Sequence, residues 1–139
     1  MTTISLETAL GITRQALAVG RELSTAPLTI AVLDAGGHLV ALQREDGASM
    51  LRPQIAIGKA WGAVALGKSS RLLAADAQQR PSFISAVNTL AHGNLVPAPG
   101  GVLIRNDKAE VVGAVDTSDI DEQCAIQGVL AVGLVPDAG

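Results

Sequence analysis

The chain has 139 residues, the usual size of one domain, and its 10 basic and 13 acidic side chains give a net charge of −3. Hydrophobic residues make up 48% of the chain but aromatic residues only 1%. The sequence has neither a stripe of basic residues nor the aromatic side chains on which nucleic-acid bases stack, so nucleic-acid binding is not expected. No window approaches the roughly 18 consecutive apolar residues that a membrane-spanning helix needs.

The small side chains of this composition predict a homo-oligomer. Ala, Val, Leu and Ile supply the apolar mass, and they bury less area per residue than Phe or Trp would. Burying surface between subunits recovers stability, so we expect an assembly from a dimer up to an octamer. Residues 1–10 show no secretion signal and Cys124 is the single cysteine, so we expect one cytoplasmic domain over residues 1–139.

Apolar periodicity predicts five helices and four strands in the order α-β-β-α-α-α-β-β-α. The helices are expected at residues 5–24, 52–67, 70–79, 81–91 and 119–133, and the strands at residues 28–33, 38–44, 102–105 and 110–115. Two hairpins without a βαβ crossover predict an α/β (α+β) fold, a central antiparallel sheet with helices packed on it. The helix at 52–67 is apolar nearly all round, which predicts that its second face meets another subunit.

Three residues mark helix starts. Ser5 is expected to cap the first helix, and Pro81 suits the first turn of the fourth. Asp119 is expected to cap the last helix, with Glu122 three residues on completing a capping box.

Four segments of this chain resemble the GlcG/HbpS-like family. They are IAVLDAGGHLV (residues 30–40), IAIGKA (55–60), NTLAHGNLVPAPGG (88–101) and VVGAV (111–115) ahead of an acidic helix start. The resemblance follows the same order over nearly the whole chain. It implies a profilin-like fold and symmetric oligomers, and some members of this family bind or degrade haem.

Lys59 is the first candidate for a functional residue. It lies in the most apolar helix, where a buried lysine is costly unless it is paired. We therefore expect Lys59 to bind a ligand carboxylate or to act as a catalytic amine, unless it reaches the surface or pairs with a structural carboxylate. Arg52 lies seven residues earlier on nearly the same helix face, so the two could clamp a dicarboxylate or a haem propionate, or Arg52 could make a surface ion pair.

Asp34 and His38 flank the turn of the first hairpin. A histidine four residues from a carboxylate across a tight turn can be an oriented general base. The alternative is that Asp34 binds the amides of the turn and His38 begins a strand.

A third cluster combines Asn88, His92 and the Pro/Gly-rich loop that ends at Gly100 and Gly101. The spacing of four predicts that Asn88 and His92 share one helix face. The loop behind them exposes amides that can hold an anion, or else it merely ends the helix.

The acidic residues Asp116, Asp119, Asp121 and Glu122 precede the last helix and are expected to complement its dipole. A divalent cation would take such oxygen ligands, but their spacing matches no metal loop. No metal site is therefore predicted. Cys124 is expected to be a packed, inert thiol.

These residues leave three functions open. The first is a pocket for a small carboxylated ligand at or near a subunit interface, with Lys59, His38 and His92 catalysing a cofactor-free isomerisation, tautomerisation, hydrolysis or deamination in catabolism. Arg52, Asn88, Asp34, Gly100 and Gly101 would bind that ligand. The second is haem binding, which the family resemblance supports; scarce aromatic residues, only two histidines and a first helix without the histidine of some relatives weigh against it. The third is a non-catalytic assembly or sensing protein.

Overall fold

The computed structural model describes residues 2–139 and contains five α-helices and five β-strands. The helices are α1 (Leu6–Glu22), α2 (Arg52–Leu66), α3 (Ser70–Gln79), α4 (Pro81–Leu90) and α5 (Gln123–Ala131). The strands are β1 (Thr29–Asp34), β2 (Leu39–Arg44), β3 (Val102–Arg105), β4 (Val111–Asp116) and β5 (Val135–Asp137). The predicted order of nine elements is confirmed, and β5 follows it.

The strands form one antiparallel sheet in the order β2-β1-β4-β3-β5. The two predicted hairpins are its two halves, and pairing of β1 with β4 joins them. The edge strand β5 was not predicted, because three residues that include Pro136 show no strand periodicity. Proline is tolerated there since an edge strand can leave one backbone position without a ladder hydrogen bond.

Helices cover both faces of the sheet because successive strand residues point to opposite sides. On one face, α1 and α5 pack over Ile30 and Val32 of β1. On the other face, α2 packs over Leu33 and its neighbours, and α3 and α4 add a small cluster beside it. Small residues let α1 and α5 lie close together: a Cβ at Gly128 of α5 would lie 2.7 Å from the backbone oxygen of Ile12 in α1.

The predicted cap of α1 is confirmed and that of α5 is wrong. Ser5 Oγ accepts a hydrogen bond from the amide of Thr8 (3.2 Å). By contrast, α5 begins at Gln123 with Glu122 at its N-cap and no side-chain cap bond. The capping box fails because two hydrogen bonds from Arg71 hold the Glu122 carboxylate (2.7 and 3.0 Å).

The helix α2 is buried on one face only. Ala56, Lys59, Ala60 and Ala63 face the sheet, whereas the side that carries Trp61 is only partly covered within one chain. The side of α2 that carries Trp61 is therefore the face on which a second subunit would be expected to pack. No helix within residues 2–139 has the length and apolar content to cross a membrane.

Candidate functional site

Lys59 forms a buried ion pair with Asp116, the last residue of β4. Their side chains are 4% and 0% exposed, and Lys59 Nζ lies 4.0 Å from Asp116 Oδ1. Lys59 Nζ also donates to the backbone oxygen of Asp119 (3.3 Å). A carboxylate of the chain therefore partners the lysine that the sequence singled out. Sequence reasoning missed that partner, because Asp116 was considered only as a neighbour of the last helix.

Two candidate glycines, Gly100 and Gly101, lie against this ion pair. A Cβ at Gly100 would lie 2.7 Å from Asp116 Oδ1 and 3.1 Å from Lys59 Nζ, and one at Gly101 would lie 2.8 Å from the Lys59 backbone oxygen. The φ of Gly100 is 129°, which other residues rarely adopt. Gly100 and Gly101 thus lie beside Lys59, and because they have no side chains their loop can pack directly against Lys59.

The carboxyl group of Asp116 is only partly satisfied. Its Oδ2 accepts a hydrogen bond from the amide of Ser118 (2.7 Å), whereas its Oδ1 has no hydrogen-bond partner among residues 2–139. Burial raises the pKa of Asp116 to about 7, although the Lys59 ammonium and the Ser118 amide act in the opposite direction.

Arg52 lines a separate cleft of about 290 Å³. Its Nη1 donates to the backbone oxygen of Ser118 (2.8 Å), and its Nε donates to Ser49 Oγ (3.2 Å). Arg52 and Lys59 therefore donate to the carbonyls of two successive residues, Ser118 and Asp119, which confirms that they share one side of α2. Arg52 reaches a cleft and Lys59 does not.

At the first hairpin, Asp34 and His38 are in direct contact. Asp34 Oδ1 lies 3.2 Å from His38 Nδ1 and accepts hydrogen bonds from the amides of Gly36 and His38 (both 2.9 Å). Burial alone would raise the pKa of Asp34, but these hydrogen bonds hold it below its usual value. Both expected roles of Asp34, binding turn amides and orienting His38, are therefore present in the geometry.

The orientation of His38 leaves its second nitrogen available. The ionised Asp34 can only accept, so a neutral imidazole carries its proton on Nδ1 and its free lone pair on Nε2. The side chain of His38 is 81% exposed. A Cβ at Gly36 would lie 2.9 Å from the His38 ring, so glycine is needed there for the ring to fold back over the turn.

A groove of about 430 Å³ runs along the uncovered side of α2. Its lining residues are Gln54, Ile55, Ile57, Gly58, Trp61, Gly93, Asn94 and Val96. The hairpin turn adjoins it, because a Cβ at Gly37 would lie 3.3 Å from the Trp61 ring. Sequence reasoning did not assign this groove; the available signal was the chain's single tryptophan, placed on the face of α2 opposite Lys59.

The predicted shared helix face of Asn88 and His92 is wrong. The helix α4 ends at Leu90, and His92 lies beyond it with a left-handed φ of 56°. Asn88 Oδ1 accepts a hydrogen bond from the amide of Leu95 (3.0 Å) and thereby fixes the loop that carries groove residue Val96. His92 is exposed and directly precedes Gly93 of the groove.

The three residues expected to act as catalysts occupy different surroundings. Lys59 is enclosed with Asp116 and Gly100, His38 is exposed beside Asp34, and His92 is exposed after α4. Each histidine, however, directly neighbours a glycine at the α2 groove: Gly37 against Trp61, and Gly93 in the lining. Within residues 2–139, no three His, Cys, Asp or Glu side chains are grouped so that they could hold a metal ion.

The family sequence model described as "Haem degrading protein HbpS-like" matches residues 4–130. The chain belongs to the HbpS-like family. The resemblance noted in the sequence is thereby confirmed. No protein with a curated description matches the chain.

Three solved structures share the fold of this chain. The chain is similar to a PduOC–haem complex (21% identity, TM-score 0.82, covering 96% of this chain and 97% of that one). It is also similar to Klebsiella pneumoniae ORFY (23%, TM-score 0.83, 96% and 92%) and to HbpS (24%, TM-score 0.78, 94% and 90%). At these identities the similarity shows the α/β fold alone.

We expect the Lys59–Asp116 pair to dominate the stability of this region. Above a pH of about 7, where the Asp116 carboxyl is ionised, Lys59→Met leaves a buried carboxylate without its cation. At such a pH it should lower the free energy of unfolding by about 3–5 kcal/mol, measured by urea denaturation. The double variant Lys59→Met/Asp116→Asn should recover much of that loss. The control is Lys68→Met. Lys68 also forms an ion pair, with Asp76, but it is more exposed than Lys59, so its loss should have a much smaller effect. Equal losses in both single variants would contradict the assignment.

The raised pKa of Asp116 also predicts a pH dependence. The folded state holds this proton up to a pH of about 7, whereas the unfolded chain releases it near pH 4. The stability that Asp116 contributes is therefore fully present below about pH 4 and is lost as the pH rises towards 7. In urea denaturation across this range, the wild-type protein should lose stability relative to Asp116→Asn as the pH rises, because only the wild-type protein carries this titrating carboxyl. Identical slopes in the two proteins would show that Asp116 does not titrate in this window.

Proposed function

We propose that this protein binds haem in the groove along α2, with His38 as the axial ligand. The observation that carries the proposal is the Asp34–His38 hydrogen bond beside Trp61 (Nδ1 to Oδ1, 3.2 Å). Histidines that bind metals almost always donate their other ring N–H to a carboxylate or carbonyl, which fixes the ring and increases ligand basicity.

The groove suits the remainder of such a ligand. Ile55, Ile57, Trp61 and Val96 give it an apolar lining, and the side chains of Gln54 and Asn94 add hydrogen-bonding groups. Haem is a flat apolar ring with two carboxylates, so it needs an apolar surface together with a few polar contacts. Two of the three features that weighed against haem are offset by the geometry of the groove: the single tryptophan lines it, and each histidine is next in sequence to a glycine at the groove.

Similar proteins also support haem binding. The family description names haem degradation, and one solved structure of the same fold is a complex with haem. A bound haem would supply an iron centre whose properties depend on its axial ligand and on the hydrogen bonds of that ligand. The residues of this chain would hold the ring, orient His38 and limit the access of water.

A haemin titration followed by absorbance and by Trp61 fluorescence tests the proposal. We expect a saturable Soret shift with parallel and nearly complete quenching, because energy transfer from Trp61 to haem becomes more efficient the closer the two lie. His38→Ala should abolish the shift. Asp34→Asn should weaken binding about tenfold, since the amide oxygen can still accept both turn amides but the carboxylate charge is lost.

His92→Ala is the matched control and should titrate like the wild-type protein. If His92→Ala abolishes the Soret shift while His38→Ala does not, the axial ligand is misassigned. Haem binding without quenching of Trp61 would contradict the groove. A wild-type protein without any saturable shift would refute the proposal as a whole.

We propose in addition that a second copy of the chain covers the groove. A neighbouring depression of about 210 Å³ shares Trp61 with the groove and has an almost entirely apolar lining that includes Leu66, Leu90 and Leu95. Leu90 is 81% exposed in one chain. Exposed apolar patches of this kind mark surfaces that bind other proteins, and a symmetric assembly would supply a second such patch.

Leu90→Glu should reduce the assembly, measured as mass by light scattering, because it places a charge in the proposed interface. The same substitution at Leu130, an exposed leucine on α5 across the sheet, should leave the mass unchanged. A monomeric wild-type protein, or dissociation by Leu130→Glu alone, would refute this interface.

A further inference from the structure

We infer that the cleft at Arg52 is a second binding site, for a small monocarboxylate with an apolar body. The cleft lies between the segment before β1, the segment before α2 and the loop after β4. It is separate from the α2 groove, since the two share no lining residue. The inference does not depend on haem binding.

The charge of Arg52 is not neutralised within the chain. Among residues 2–139, four of the seven arginines pair with carboxylates: Arg21, Arg71, Arg80 and Arg105. Arg14, Arg44 and Arg52 do not, and of these three only Arg52 lines the cleft. Helix stability does not account for Arg52 either, because a cation at the first residue of α2 opposes the helix dipole. An anion bound in the cleft would satisfy it.

The geometry of the Arg52 side chain favours a carboxylate. The guanidinium is fixed by Ser118 and Ser49, which use Nη1 and Nε, so its conformational entropy is already reduced before a ligand arrives. Nη2 donates to no residue among 2–139. The Ser49 hydroxyl accepts from Arg52 and keeps its own proton for a second hydrogen bond. Two such donors side by side match the two oxygens of a carboxylate.

Apolar residues in and beside the cleft favour an apolar body on that carboxylate. The lining includes Ala26, Pro27 and Ala48. In the sequence, Met50 and Leu51 lie between the lining residues Ser49 and Arg52, and Ile120 follows the lining residue Asp119. These three large side chains are 84%, 60% and 67% exposed, so they are available to a ligand whose carboxylate is held in the cleft.

The remaining charges near the cleft favour a monoanion. Asp119 lines the cleft with a carboxylate, and the Lys59 ammonium lies behind it, donating to the Asp119 backbone oxygen. Asp119 opposes a second negative charge on the ligand.

Isothermal titration of the full-length protein with hexanoate tests the inference, with hexan-1-ol and acetate as probes for the two halves of the ligand. We expect saturable binding of hexanoate, and binding of hexan-1-ol and of acetate that is at least about tenfold weaker. Arg52→Met should weaken hexanoate binding about tenfold or more, whereas Arg14→Met, at an exposed arginine of α1, should not.

Two further variants keep the test decisive if Arg52→Met disturbs the loop at Ser118. Ile120→Ser, at an exposed position, should weaken hexanoate binding severalfold without changing acetate binding. Asp119→Asn should strengthen hexanoate binding, because it removes a negative charge and keeps one side-chain oxygen that can accept from the Asp121 amide. Weaker binding in Asp119→Asn, no saturable binding of hexanoate, or an unchanged affinity in both Arg52→Met and Ile120→Ser would overturn the inference.

Discussion

The buried ion pair between Lys59 and Asp116 fixes α2 on the sheet, and both proposed sites depend on that placement. A buried charge without its partner is strongly destabilising, so α2 cannot turn about its axis or slide along β4 without a large cost. The loop at Gly100 closes over the pair at a distance that only glycine permits. Together with the hydrogen bonds of Arg52 and Lys59 to the loop after β4, this ion pair sets the orientation of a largely apolar helix.

That orientation gives one helix three different environments. Because each residue of a helix advances by about 100°, Lys59 and Trp61 point to nearly opposite sides. Lys59 faces the end of β4, and Trp61 faces the groove beside the hairpin turn. Arg52, at the start of the same helix, reaches the loop after β4. The proposed haem groove and the proposed carboxylate cleft are therefore at separate places on one rigid element.

The sequence predicted most of the fold because its signals are local. Each signal spans only a few residues: the hydrophobic periodicity, the Ser5 cap and the glycines of the first hairpin. Together such signals predicted nine of the ten helices and strands. The predictions that failed concern residues that bind partners far away in the sequence. Arg71 binds Glu122 and removes it from the predicted capping box. The strand β5 exists only because β3 offers it an edge.

For the candidate sites, the sequence by itself determined which residues needed an explanation: a lysine in an apolar helix, a carboxylate and a histidine across a turn, and a pair of glycines. It also determined the family. Only the tertiary structure decided which partners they have. Asp116 lies 57 residues from Lys59 along the chain, and the contact of Gly37 with Trp61 likewise joins distant segments. Contacts of this kind depend on how strands pair and helices pack, and no local pattern in the sequence encodes them.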